Sequence, residues 1–315
     1  MPLASLLLAS FLLASSAAPA AAQVHPRQVP GPPLRVRVEL VPVIASVLDA
    51  SGKPVTDLPE SDFRISQDNQ PQKIDLFERE TNLPLDLALM IDTSLSAVGD
   101  LKFERQAAEG FLRQVLRPGD RMAVFSFAYD VNELTPFTAD CARLDAALRE
   151  MQPGTGTSLF DAIDLGSRTL ARRPAGRRRV LLLVTDAGET TSRDTYEQAR
   201  DAAIRADAML YTMLVRVVKS EVGENTGGEH AIDTIIDSTG GAMYPVDTYA
   251  QFASTFSRIN EELRTEYFIG YYPKPAPAPG SKHSIGLELA LPAGSGAGPY
   301  TMTYRKEYFA PEAQP

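Results

Sequence analysis

Asp92, Ser94 and Ser96 place a carboxylate and two hydroxyls at every second position, directly after the apolar run Leu87–Ile91. Oxygen-bearing side chains with no His or Cys among them suit a hard divalent cation such as Mg²⁺. Two further stretches carry the same kind of chemistry. Gly154-Thr155-Gly156-Thr157-Ser158 stands before a helical segment, and Val184-Thr185-Asp186-Ala187-Gly188 follows the apolar run Val180–Val184. Taken alone, none of the three is decisive, because Ser and Thr beside a strand or helix often serve only as caps. The alternative chemistry for Asp92 is that of a phosphatase nucleophile at a strand end. Such sites use a second acid two residues on, and Ser94 occupies that position.

Other chemistries lack their residues. His25, His230 and His283 are scattered, so there is no zinc-type cluster. Neither a Gly-x-x-x-x-Gly-Lys-Ser/Thr loop nor a Gly-x-Ser-x-Gly elbow occurs. The single cysteine, Cys141, opens an amphipathic segment, where a buried or capping role is expected and no internal disulfide can form.

The elements that must hold these loops alternate between strand and helix from about residue 83. Leu85–Asp92 reads as a central strand, 100–116 as a helix ended by Pro118-Gly119, and Arg121–Phe127 as the next strand. Val131–Phe137 follows as an edge strand because of Pro136. Helices are expected at 144–151 and 159–170, a buried strand at Val180–Val184, a helix at 195–207 and a strand at 209–218. A helix at 231–238, a short edge strand at 243–246 and a last helix opening at Thr248, with Gln251 completing a capping box, close the block. This pattern predicts an α/β fold with a doubly wound, mostly parallel sheet flanked by helices over 83–266. In such sheets ligands sit at the carboxyl ends of the strands, where strand order reverses. All three oxygen-bearing loops fall there. The run Arg172–Arg179 (RRPAGRRR) is expected to be a solvent-exposed loop ahead of its strand.

On either side of the block the pattern is β. Val36–Asp49, Phe63–Ile65 and Lys73–Glu78 read as strands in the 34–82 segment, and Tyr267–Tyr272, Ile285–Leu291 and Tyr300–Tyr304 in the 267–309 segment. We expect the two segments to pack together as one smaller β-rich module with the block inserted, although two separate modules would read almost the same. Residues 1–22 resemble a secretory leader, with an apolar run Leu3–Leu13 and Ala20-Ala21-Ala22 before Gln23, but no Lys or Arg precedes the run. Residues 23–33 form a Pro-rich linker. The expected location is outside the cytoplasm: periplasmic, cell-surface or secreted.

Composition narrows the partner class. Of 315 residues, 44% are hydrophobic and 23% charged, as in an ordinary globular protein. A net charge of −9 lacks the basic footprint of nucleic-acid binding. The leader's apolar run is too short to span a membrane.

The three loops in this order resemble a von Willebrand factor A domain with its metal-ion-dependent adhesion site. The resemblance covers about residues 83–266 and rests on Asp-x-Ser-x-Ser at Asp92, Ser94 and Ser96, a Thr in a Gly-Thr setting at Thr157, and an acid after a central strand at Asp186. It implies those five as ligands of a divalent cation, Mg²⁺ first, with Mn²⁺ or Ca²⁺ as alternatives. It also implies a binding or adhesion module, not an enzyme, that accepts a carboxylate from a protein or other partner. Two features depart from the pattern: Ala187 stands where many relatives have Gly, and Thr155 rivals Thr157. The flanking segments, with Val55-Thr56-Asp57-Leu58 and Asp62-Phe63, also resemble bacterial exported relatives of that family. A structural scaffold whose hydroxyls merely cap helices is the bland alternative.

Overall fold

Fourteen strands, six α-helices and one short 3-10 turn (Glu60–Asp62) follow one another among the described residues of the computed structural model, 39–79, 83–95, 101–217, 226–291 and 299–312. The side chains of 101–104 are not described, and the leader (1–22), the linker (23–33) and Ser96 lie outside the described residues. In chain order the first strands are β1 (Val41–Leu48), β2 (Phe63–Gln67), β3 (Gln70–Gln72), β4 (Leu76–Glu78) and β5 (Leu85–Asp92). Next come α1 (Leu101–Val115), β6 (Arg121–Phe127), β7 (Val131–Thr138), α2 (Cys141–Glu150), α3 (Leu159–Ala171) and β8 (Arg178–Thr185). The block ends with α4 (Tyr196–Ala206), β9 (Ala208–Val215), α5 (Thr226–Thr239), β10 (Met243–Val246) and α6 (Gln251–Glu262). The last strands are β11 (Tyr267–Tyr271), β12 (Lys282–Leu289), β13 (Thr301–Tyr304) and β14 (Glu307–Phe309).

The central sheet has the order β10-β9-β8-β5-β6-β7, parallel throughout except for the antiparallel edge strand β7. Every residue of β5 is buried, because helices cover both of its faces. Leu85, Leu87, Leu89 and Ile91 pack with α1, α2 and α6, while Ala88 and Met90 face α3, α4 and α5. The chain leaves β5 toward β6 on one side and returns to β8 on the other. The strand order therefore reverses between β5 and β8, which opens a crevice at their carboxyl ends.

Both ends of the chain build the smaller module. One sheet runs β13-β1-β11-β4 and the other β14-β12-β2-β3, each antiparallel and each mixing strands from before and after the block. Alternate residues of β1, Val41, Val43, Ala45 and Val47, enter the core between the sheets with Phe63 and Tyr267. Pro42 is accommodated inside β1 because the β13 register begins only at Ala45, so the side of the strand near Pro42 has no ladder to supply. The strand read at Lys73–Glu78 is corrected to Leu76–Glu78. Gln70–Gln72 is a separate strand that pairs with β2 across Asp68 and Asn69, both at positive φ (48° and 63°).

The basic run 172–179 is also corrected. Arg178 is only 2% exposed, and it bonds Glu266, Leu83 O and Leu263 O, tying together the two stretches of chain that enter and leave the block. Arg173 and Arg177 converge on the fully buried Asp86 carboxylate, Arg173 Nε at 2.9 Å and Arg177 Nε at 2.7 Å. Burial alone would raise the Asp86 carboxyl; the Arg177 and Arg173 bonds outweigh it and hold the group below the usual carboxylate range. Three smaller expectations shift as well. Asp140 caps α2, leaving Cys141 half-buried on its first turn, and α5 already begins at Thr226. Ala250 is the N-cap residue of α6, and Gln251 Oε1 accepts from the amides of Asp247 and Thr248.

Candidate metal centre

Asp92 ends β5 and is 1% exposed. Its Oδ1 accepts from the Ser94 amide at 2.9 Å, and its Oδ2 accepts from Thr185 Oγ1, the last residue of β8, at 2.7 Å. Burial pushes the Asp92 carboxyl up to about 7. The Thr185 and Ser94 bonds pull it down, and the neighbouring Asp186 charge pushes it further up. A deeply buried acid facing a second acid, bonded among the described residues to hydroxyl and amide donors, fits a hard cation as a further partner.

The second loop is laid against the first. Gly154 N donates to Thr93 O at 2.8 Å and Ser94 forms an isolated parallel bridge with Gly154, so the 152–157 loop extends the sheet by one step beside β5. Thr157 is 3% exposed, whereas Thr155 is exposed. Both main-chain groups of Thr157 are taken up by the third loop. Its amide donates to Thr190 Oγ1 at 2.8 Å, and its carbonyl accepts from the Thr190 amide at 2.9 Å. Ser158 Oγ adds bonds to Tyr129 O at 2.7 Å and to Thr191 Oγ1 at 2.8 Å. The first turn of α3 is satisfied from the same loop, since Phe160 N donates to Glu189 Oε2 and to Ser192 Oγ at 3.2 and 3.0 Å.

The third loop turns sharply after Asp186, whose Oδ1 accepts from Gly188 N at 2.8 Å. Ala187 has φ 62°, the left-handed conformation that glycine adopts freely, so the substitution noted in the sequence keeps the turn at a cost of about 1–2 kcal/mol. The Ala187 amide offsets part of that cost by donating to Thr185 Oγ1 at 3.0 Å. Helix α5 presses on the turn at Gly228, where a Cβ would lie 1.9 Å from Ala187 O.

The loops thus bring Asp92, Ser94, Thr157 and Asp186 to the carboxyl ends of β5 and β8, and Ser96 lies outside the described residues. The ligand chemistry they offer is oxygen only, two carboxylates with two hydroxyls, which is a hard-cation set. No group of three or more His, Cys, Asp or Glu that could hold a metal occurs among the described residues, so a cation here would depend on the hydroxyls. Sequence reasoning missed Thr185, which orients Asp92 and the third turn together. Its position directly before Asp186, at the end of the buried run, was the available signal. It also missed the rim, where Leu95 is 66% and Tyr129 58% exposed.

Residues 87–189 match the family model described as von Willebrand factor type A domain. The solved structure of a von Willebrand factor type A protein from Catenulispora acidiphila aligns over 80% of this chain and 74% of its own, with 13% identity and a TM-score of 0.50. The conserved hypothetical protein BatB from Bacteroides thetaiotaomicron aligns over 57% of this chain and 100% of its own at 16% identity, TM-score 0.46. The vWF domain of the type V pili tip protein Mfa5 from Porphyromonas gingivalis aligns over 57% and 95% at 14% identity, TM-score 0.44. No curated protein matches the chain.

Proposed function

We propose that this protein, whose residues 87–189 match the von Willebrand factor type A domain model, is a non-enzymatic binding module, exported from the cytoplasm, that uses a divalent cation to engage a carboxylate on its partner. The observation that carries this reading is Asp92. It is a buried carboxylate at the reversal point of the sheet, pushed up by burial and faced by Asp186, with Thr185 and Ser94 as its bonded partners among the described residues. Asp92, Ser94, Thr157 and Asp186 would hold the ion, with Ser96 from the same loop. Mg²⁺ is the first choice because the set is small, hard and partly neutral. When bound, such an ion supplies an electrophilic position to which a carboxylate oxygen can add.

The chain's own residues supply the rest. Thr185 fixes the Asp92 carboxylate, and the Thr157–Thr190 bonds set the distance between the second and third loops. Leu95 and Tyr129 offer apolar area beside the charged centre. That combination suits an acidic group set in an apolar surface of a protein partner. The net charge of −9 argues against nucleic acid as the partner, and among the described residues no helix is long and apolar enough to cross a membrane.

The test is calorimetry with Mg²⁺ and Mn²⁺ on the full chain and on Asp92→Ala. The parent is expected to bind one ion and the variant none, with the circular dichroism of the variant unchanged. Equal affinity in both proteins would remove the site assignment. Magnesium-dependent release of phosphate from an aryl phosphate would instead favour the phosphatase alternative.

A further inference from the structure

Helix α5 opens with Thr226-Gly227-Gly228, although glycine is the residue a helix tolerates least after proline. The two glycines have different surroundings. Gly227 is exposed, and a Cβ there would meet nothing within 4 Å. Gly228 is buried, and a Cβ there would fall 1.9 Å from Ala187 O and 3.0 Å from Ala187 C. Close approach therefore requires glycine at 228, because the backbone of α5 lies directly on the carbonyl of the residue after Asp186.

The helix has no room to retreat. Just past its far end, a Cβ at Gly241 would lie 2.1 Å from Leu210 O of β9, and one at Gly240 would lie 2.9 Å from both Tyr304 C and Arg305 N. Ser238 O accepts from Lys306 N at 3.0 Å, so α5 ends against the strands β13 and β14 of the smaller module. Along its length, Ile232 and Ile235 are fully buried in the same core as Ala187. At the near end, Glu229 pairs at 2.7 Å with Arg216, the residue after β9. The third loop is held differently. Ala187 already takes φ 62°, and the turn is closed by the bonds Gly188 N to Asp186 Oδ1 and Ala187 N to Thr185 Oγ1. An added Cβ at 228 would displace this turn before it displaced the helix.

We propose, resting on the cation-site reading above, that α5 sets the geometry of that site from outside it, with Gly228 as the positioning residue. Its contact on Ala187 O fixes the turn that carries Asp186 and, through Thr185 Oγ1, the donor that orients the Asp92 carboxylate. Gly228 has no side chain to offer the ion, so its effect on the ion is indirect. Because α5 ends against Tyr304 to Lys306, the placement of the third loop also depends on strands that lie outside the α/β block. The placement itself needs no metal.

The experiment compares the parent, Gly228→Ala and Gly227→Ala as full chains. Mg²⁺ affinity is measured by calorimetry at a temperature where circular dichroism shows all three folded, and amide hydrogen exchange over 186–191 is measured in the metal-free proteins. Helix propensity favours alanine at both positions, so a loss at 228 alone reports the contact. Gly228→Ala is expected to bind Mg²⁺ about tenfold more weakly and to exchange faster over 186–191, as overpacking displaces the turn. Gly227→Ala should match the parent in both. A merely structural role would lower the melting temperature and leave the affinity of the folded protein unchanged. Should Gly228→Ala not fold, Arg216→Gln and Glu229→Gln decide, since each cuts the same tether with opposite change of charge. Electrostatics alone would move Mg²⁺ affinity in opposite directions in those two, whereas lost positioning weakens it about threefold in both. If the parent binds no cation, the cation-site reading falls, and exchange over 186–191 alone decides whether α5 places the loop. Unchanged affinity and exchange in a folded Gly228→Ala, an equal loss in Gly227→Ala, or opposite shifts in Arg216→Gln and Glu229→Gln would overturn the proposal.

Discussion

The two ends of β8 carry opposite chemistry about 23 Å apart, taking the seven steps between its eight residues at roughly 3.3 Å each. At the carboxyl end, Asp92 and Asp186 face one another with hydroxyls and amides as the bonded donors. At the amino end, Asp86, Glu266 and Asp207 are each matched to an arginine. Acids gather with hydroxyl and amide donors at one end of the sheet, and arginines with acid partners at the other. The difference separates buried charges that are paired within the fold from the acids assigned above to the proposed cation site. Matched pairs such as Arg178 and Glu266 lock the block to the flanking strands.

The strongest way to break the comparison is Arg178→Ala. It leaves Glu266 buried beside Tyr211, with its acid pushed up to about 7 chiefly by burial against the pull of Arg178. Removing one partner of a buried pair costs about 3–5 kcal/mol. Urea denaturation should show that loss, and Arg178→Met combined with Glu266→Leu should recover most of it. At the other end, Asp92→Ala should abolish the Mg²⁺-dependent rise in melting temperature while leaving the metal-free protein folded.

Acidity sharpens the contrast further. The Asp92 carboxyl lies near 7 in the folded, metal-free chain against an ordinary value of 3.8. Between those values the folded chain holds a proton that the unfolded chain has released. The group's contribution to stability is therefore greatest below about pH 4 and declines as pH rises toward 7. A bound cation competes with that proton, so Mg²⁺ affinity should fall about tenfold per pH unit below 7. Calorimetry across pH 5–8 checks it; a flat profile would place the competing proton elsewhere. Thr185→Val removes the donor to Asp92 and the acceptor of the Ala187 amide, and should cost about 1–3 kcal/mol by the same denaturation assay. The smallest effect is expected from Tyr129→Ala, which should leave Mg²⁺ affinity within about twofold yet weaken capture of a partner, because buried aromatic anchors dominate interfaces. Pull-downs with and without chelator separate those two outcomes.

Legibility in the sequence followed the range of the interaction. The runs at β5 and β8 announced buried parallel strands because both faces are covered, which leaves no polar alternation to read. Thr195 and Gln198 form a capping box within four residues, and the start of α4 falls at the expected place. The arginine run misled, because clustered like charges read as solvated. Its partners Asp86 and Glu266 lie 91 and 88 positions away from Arg177 and Arg178, where no local pattern reveals them. The strand at Lys73–Glu78 was overextended for a related reason: its alternation continues past the point where a partner strand is present.

By itself, then, the amino-acid sequence determined the α/β alternation of the block and which loops bear acids and hydroxyls, because strand and helix periods and loop chemistry are properties of neighbouring residues. Only the tertiary structure decided that β5 lies between β8 and β6, that Asp92 is desolvated against Asp186, and that one end of β8 gathers arginines around a cavity. Burial and charge balance at a point depend on every chain segment that reaches it, and those segments meet only when the chain is folded.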